Sequence, residues 1–216
     1  MKYNNLSPII RYILHFIPKK LHFISKKLNL NYLSNHDSNV NMRVACLMSG
    51  SGSNVEKIIQ GQKHYKVVVI FSDSKNSRAQ EIGDNNGIPV VIRDINDFYS
   101  SRGKNKRDFI KNPELDGGTR ETFDSLIISD LKKYDVDVVA LAGYMSAVSK
   151  PFIKTFLSIN VHPADLSVIE SNRRKYAGLN VVRDAILNNE KFLYSTVHIV
   201  REKIDYGEIL MRSKGL

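Results

Sequence analysis

Four segments of this chain are apolar almost without interruption: "RVACLMS" from Arg43, "YKVVVIFSD" from Tyr65, "IPVVI" from Ile88 and "VDVVALAG" from Val136. A half-solvated strand alternates apolar and polar residues, whereas continuous runs mean that both faces of the sheet are covered. Between the runs lie stretches with helical period: "NVEKIIQGQ", "SRAQEIGDNNG" with Gly87 as its expected stop, and "TRETFDSLIISDLKKY" with Thr119 as its expected N-cap. Further on, "VSKPFIKTFL" and "NVVRDAILNNE" read as helices, "SINVHP" as a strand end, and "YSTVHIV" and "GEILMRS" as two last strands around a short turn. The expected fold is α/β and Rossmann-like, a mostly parallel twisted sheet with helices on both faces and a late antiparallel hairpin. The charged stretch from Ile95 to Gly118 reads as a long surface loop.

The first strand runs into "GSGSN", Gly50 to Asn54, and then a helix. Glycines let backbone N–H groups approach an anion, and the helix N-terminus adds a favourable dipole. The turn is therefore a candidate phosphate or carboxylate site. A dinucleotide fingerprint would need glycine at position 55, which is Val55, and the Gly-Lys-Ser/Thr of a P-loop is missing. Asp73 stands where a ribose-binding acid would fall, so a nucleotide module stays open, as does a tight turn without a ligand. A small phosphorylated substrate fits best.

Charge qualifies the choice of partners. The net charge is +10, but residues 1–42 hold six Lys or Arg against one Asp, and the other 174 hold 26 basic and 21 acidic residues. Half of the excess thus sits in the first fifth of the chain, and no nucleic-acid partner is expected. Residues 1–41 read as a basic extension and linker ahead of a domain at 42–216. Arg11, Pro18, Lys19 and Lys20 interrupt its apolar residues, which excludes a transmembrane helix there. Packing on its own domain, a targeting role and contact with an anionic membrane are the readings left for the extension. A single cysteine, Cys46, inside an apolar strand fits a buried side chain and a reducing, cytoplasmic compartment. No Cys/His cluster has the spacing of a metal site.

Three more strand ends carry polar residues that a core would not select: "LAGYMSAVS", "INVHPADL" with Asn160 and His162, and "IDYGEIL" with Asp205. In this order, with "MSGSGSN", "VVALAGYM", "STVHIV" and the weaker "RETFDSLI", they resemble the folate-dependent formyltransferase family, phosphoribosylglycinamide formyltransferases above all. The resemblance covers Met42 to Leu216. It implies transfer of a formyl group from 10-formyltetrahydrofolate, a co-substrate, to the amine of glycinamide ribonucleotide in purine synthesis, without a metal. It implies Asn160, His162 and Asp205 as catalytic residues. Gly50, Ser51, Gly52, Ser53 and Asn54, with Arg120, would hold the substrate phosphate. Met145, Ser146, Ala147, Val148, Ile204 and Asp205 would bind the folate. His198 also matches a family position, as a site neighbour or a satisfied core residue.

The chemistry agrees with these residue types. The substrate amine is itself the nucleophile, so donors for an oxyanion and a proton relay are what the protein must supply. Asn160 can donate, and His162, two residues along a strand, points to the same side. Asp205 can orient the imidazolium, and an adjacent carboxylate is expected to raise the His162 pKa above about 6.5.

The chain departs from the family in two inserts, 95–118 and 167–177. The second, within "ADLSVIESNRRKYAGLN", puts Ser167 where the family has a second proline and adds Arg173, Arg174 and Lys175, read as a solvated loop or a grip on an anionic substrate. Family members continue into a C-terminal helix where this sequence stops at "RSKGL", so a compact variant or a truncated sequence is expected. Another folate-dependent formyltransferase, a formyltetrahydrofolate hydrolase and a non-catalytic nucleotide-binding module are the alternatives.

Overall fold

The computed structural model describes residues 42–215; the extension at 1–41 and the membrane or targeting readings attached to it lie outside them. Seven strands form one sheet: β1 (Met42–Met48), β2 (Tyr65–Ser72), β3 (Val90–Ile92), β4 (Val138–Leu141), β5 (Leu157–His162), β8 (Thr196–Ile199) and β9 (Ile209–Arg212). Their order is β3-β2-β1-β4-β5-β8-β9. The first five are parallel to one another, β8 runs antiparallel to β5, and β8 and β9 form the antiparallel hairpin expected at the end of the chain.

Residues of β1 point alternately to the two faces and meet apolar helices on each. Val44, Cys46 and Met48 pack with Val55 and Ile58 of α1 (Ser53–Gln60) and Ala79 and Ile82 of α2 (Ala79–Asn86). Ala45 and Leu47 pack with Phe123, Ile127 and Leu131 of α6 (Thr119–Lys132) and Phe152 of α7 (Lys150–Thr155). Burying each such side chain contributes roughly 1.5–3 kcal/mol, so a polar residue on either face of β1 would be costly. That is why the run is unbroken. Burial also pushes the Cys46 thiol up to about 12, which makes it a core residue and no nucleophile.

Two expectations are corrected. The stretch 95–118 is not a loop but three short helices, α3 (Ile95–Ser100), α4 (Asp108–Lys111) and α5 (Pro113–Asp116). Asp94 caps α3 by accepting from the Asn96 and Asp97 N–H groups at 2.9 and 3.0 Å. Tyr99 donates to Asp116 at 2.7 Å, and Asp116 accepts from the Arg120 N–H at 3.0 Å, tying the insert to α6. The N-cap of α6 is Gly118 at φ 76°, not Thr119, whose hydroxyl donates back to Asp116.

The strand order reverses between β1 and β4, and ligands of open α/β sheets bind at the carboxyl ends of strands beside such a reversal. The loops following β1 and β4 are joined there: Ser49 N–H donates to Gly143 O at 3.1 Å, and Met145 N–H to Ser49 Oγ at 2.8 Å. Among the described residues, no helix is long and apolar enough to cross a membrane.

Candidate active site

Gly52 sits at φ 72°, immediately before α1. A Cβ there would lie 2.3 Å from Ile82 Cδ1 and 2.7 Å from Met48 Cε, so both conformation and space require glycine. The Gly50 carbonyl accepts from Arg78 N–H at 3.1 Å, and the Ser51 carbonyl from the Arg78 guanidinium at 3.2 Å. No acceptor among the described residues takes up the N–H groups of Gly52, Ser53 or Asn54. The turn thus ties back its carbonyls and leaves its donors open, as an anion site requires.

Two strands further along the sheet, roughly 10 Å away at the usual strand spacing, four polar side chains meet. Asn160 and His162 are two residues apart on β5. Antiparallel pairing sets His198 of β8 opposite Asn160, and Thr196 opposite His162. Asp205 arrives from the turn between β8 and β9 at φ 58°, a left-handed conformation that Asp and Asn adopt more readily than other non-glycine residues. Gly207 makes that turn possible, because a Cβ there would fall 1.7 Å from Ile199 O. Asp205 Oδ1 then lies 3.5 Å from His162 Nδ1 and 3.4 Å from His198 Nε2. Asn160 Nδ2 is 3.2 Å from His198 Nε2. His162, His198 and Asp205 are 3%, 2% and 7% exposed, so these contacts operate away from bulk water.

Insert 167–177 closes over this group. It forms a small antiparallel pair, β6 (Ile169–Glu170) with β7 (Arg173–Arg174). Tyr176 is buried against Ala164, Val181 and Ala185, with its hydroxyl donating to Glu190 at 2.5 Å. The Tyr176 carbonyl lies 2.7 Å from His162 Nε2, and Gly178 N–H donates to Asp205 Oδ2 at 2.8 Å. A carbonyl only accepts, so His162 carries its proton on Nε2 in this arrangement. Arg174 donates to the Asp205 carbonyl at 2.6 Å, which makes it an anchor for the Asp205 turn; Lys175 pairs with Glu170 at 3.2 Å, and Arg173 is exposed.

Burial is the largest influence on His162 and lowers its pKa; the Asp205 charge and the Tyr176 carbonyl pull the other way and do not overcome it. The expectation of a raised value is therefore corrected: a neighbouring carboxylate was visible in the sequence, the desolvation was not. Burial works to raise the Asp205 carboxyl, but contact with His198, the His162 ring and the Gly178 N–H outweigh it and hold the group below the ordinary carboxylate range. The site thus pairs a carboxylate with a His162 ring that burial biases toward its uncharged form.

A family model described as formyl transferase matches residues 42–215. The chain belongs to the formyl transferase family. It is 30% identical over 179 residues to the trifunctional purine biosynthetic protein adenosine-3 of Drosophila melanogaster, covering 79% of this chain but 11% of that protein. It is 27% identical over 179 residues to phosphoribosylglycinamide formyltransferase of Escherichia coli (strain K12), covering 80% of this chain and 72% of that protein. Among solved structures, phosphoribosylglycinamide formyltransferase from Anaplasma phagocytophilum superposes with a TM-score of 0.61 at 27% identity, over 80% of this chain and 71% of that one. Glycinamide ribonucleotide transformylase 1 from Symbiobacterium toebii gives 0.64 at 26%, over 83% and 77%. The chain thus spans about a tenth of the trifunctional relative and about seven tenths of the bacterial enzyme.

The remaining family-implied residues fall into two groups. Met145 and Ile204 are exposed side chains at the rim, Ser146 donates to Asp73 at 2.5 Å, Ala147 is half-buried, and Val148 belongs to the core under the loop. Arg120 is 2% exposed, with its guanidinium 2.8 Å from Asp124 and 3.1 Å from the Tyr144 hydroxyl. A phosphate could reach it only if that pairing opened. Burial raises the Asp124 carboxyl against the pull of Arg120. Sequence reasoning missed Ser49 and Arg78, which join and shape the two loops; polar residues at the strand end and helix start were the signal available. Tyr176 was missed as well, because its contribution is a main-chain carbonyl. Among the described residues, no group of three or more His, Cys, Asp or Glu side chains could hold a metal ion.

Proposed function

We propose that this chain transfers a formyl group from 10-formyltetrahydrofolate to the amine of glycinamide ribonucleotide, a step of purine synthesis. The observation that carries the reading is the convergence of Asn160, His162 and Asp205 at the carboxyl end of β5, with Asp205 Oδ1 3.5 Å from His162 Nδ1. The folate supplies an activated formyl carbonyl. The donor set fits such a group: an amide N–H for the oxyanion, an imidazole for the proton and a carboxylate behind it.

In this reading Asn160 donates to the oxygen as it gains charge. His162 takes the proton from the attacking amine at Nε2 as the new N–C bond forms, Asp205 stabilises the imidazolium through Nδ1, and the proton passes on to the folate nitrogen as its bond to the formyl carbon breaks. That role needs the Nδ1–H form of His162, so the Tyr176 carbonyl must leave Nε2 before the amine arrives. The open N–H groups of Gly52, Ser53 and Asn54 hold the phosphate, in a turn shaped by Gly50, Ser51 and Arg78. Met145, Ser146, Ala147 and Ile204 line the folate side, with Val148 beneath. Arg120 supports the loop through Tyr144. A cytoplasmic site of action is part of the reading, with delivery to an organelle by residues 1–41 as the alternative; a relative from Arabidopsis thaliana is named as chloroplastic.

The test mixes purified protein with 10-formyl-5,8-dideazafolate and glycinamide ribonucleotide and follows the folate absorbance. Turnover that requires the ribonucleotide is expected. Turnover without it would assign a hydrolase instead, and silence with bound ribonucleotide would assign a binding module.

A further inference from the structure

We propose that His198 is a positioning residue for the reaction, one that holds the donor end of the Asn160 amide toward the formyl oxygen. The proposal rests on the reading of Asn160 as an oxyanion donor. It starts from register: His198 lies directly opposite Asn160 in the β5–β8 pair, and opposite side chains of an antiparallel pair share a face. His198 Nδ1 is 2.9 Å from Ile199 O. A carbonyl cannot donate, so Nδ1 carries a hydrogen, and in the uncharged ring, the form this proposal requires, Nε2 is left with a bare lone pair. That lone pair faces Asn160 Nδ2 at 3.2 Å and accepts one of its two N–H bonds.

The consequence follows from amide geometry. An asparagine side chain turns easily about its last torsion, and its two ends differ in function: the nitrogen donates, the oxygen only accepts. An oxyanion needs the donor, and the oxygen in its place would repel the developing charge. By fixing one N–H, the His198 lone pair fixes the plane and leaves the second N–H pointing in a defined direction. Asp205 Oδ1, 3.4 Å from the same Nε2, competes for this ring. A proton on Nε2 would satisfy Asp205, and the Asn160 amide would then turn its oxygen to the ring. His162, whose ring centroid is 6.4 Å away, shares the carboxylate and is the other titratable group facing His198. The bare Nε2 is the form that presents the Asn160 donor.

Two substitutions separate positioning from packing. In His198→Asn the new side chain reaches the place of Nδ1 and keeps Ile199 O, but nothing replaces Nε2. In His198→Gln an amide oxygen reaches the place of Nε2 and can accept from Asn160. Expected for His198→Asn is a kcat loss of ~10²–10³, the effect of losing one oxyanion donor. KM for both substrates should stay within about threefold, because ground-state binding is untouched. His198→Gln should recover at least ~10-fold of the lost kcat, and combining His198→Asn with Asn160→Ala should cost little beyond Asn160→Ala alone. Equal losses in the two variants, or a rise in KM with kcat kept, would overturn the proposal. A measurement on the unaltered protein does not depend on either variant folding: two-bond ¹H–¹⁵N spectra of the histidine rings near neutral pH should show His198 protonated at Nδ1 and bare at Nε2. Protonation at Nε2 would overturn it. If the unaltered protein transfers no formyl group, the proposed function fails, whereas the ring spectrum is read without turnover.

Discussion

The substitution Asp205→Asn tests the relay at one atom. The change should leave the fold intact, because Asp205 sits at φ 58° and Asn tolerates the left-handed region as well as Asp. Gly178 N–H donates to Oδ2, so the carbonyl of the new side chain takes that position and its NH₂ falls at the place of Oδ1. There it aims a donor at His162 Nδ1, 3.5 Å away, where a carboxylate stood. His162 can only accept, which locks its proton on Nε2 against the Tyr176 carbonyl and removes the lone pair needed by the amine. The imidazolium also loses its counter-charge: two unit charges 3.5 Å apart at an effective dielectric of about 20 attract by about 5 kcal/mol. Burial outweighs that attraction even when it is present, as the lowered His162 pKa shows, and without it only the Tyr176 carbonyl favours the charged ring. A fall in kcat on the order of 10³ is expected, since each 1.36 kcal/mol is a factor of ten. The readout is the absorbance assay at saturating substrates, with thermal melting as the control for folding. A variant that melts like the parent and keeps more than about a tenth of its kcat would refute this account of the relay.

Three further outcomes are expected. An NMR titration of the His162 ring should give a midpoint below about 6.5, since burial dominates; a midpoint above that value would mean that the Asp205 charge wins. His162 and Asp205 both have folded pKa values below their unfolded ones, so the unfolded chain binds more protons. Their contribution to stability is complete above about 6.5 and falls with pH, first through the His162 range and then below about 4; urea unfolding that is equally stable or more stable at pH 5.5 than at pH 7.5 would contradict this. Gly52→Ala should cost about 1–2 kcal/mol for the left-handed backbone and more for the contact with Ile82, and it should raise KM for the phosphorylated substrate far more than KM for the folate; equal KM values would remove the turn from phosphate binding.

The strands were legible because unbroken apolar runs such as Val67 to Phe71 mark a sheet covered on both sides, whereas the order of the strands was not read from the sequence. Asn160 and His162 were legible as polar residues at the end of β5 and Asp205 as an acid in the turn before the last strand, and the family resemblance joined the three. The insert 95–118 was not, because helices of four to six residues contain too little of a helical period to stand out from charged loop. The role proposed for His198 depends on the register between β5 and β8, which residues 163–195 separate in sequence and which only the folded sheet specifies. The direction of the His162 pKa depends on burial under Tyr176, and neither the depth nor a main-chain carbonyl leaves a mark in the sequence.

A crystal structure with glycinamide ribonucleotide and a stable folate analogue tests the central claim most directly. The account predicts phosphate oxygens on the N–H groups of Gly52, Ser53 and Asn54, the Tyr176 carbonyl displaced from His162, and Asn160 Nδ2 and His162 Nε2 both within about 3.2 Å of the transfer centre. Ligands bound elsewhere, with the 2.7 Å contact between His162 and Tyr176 intact, would contradict it.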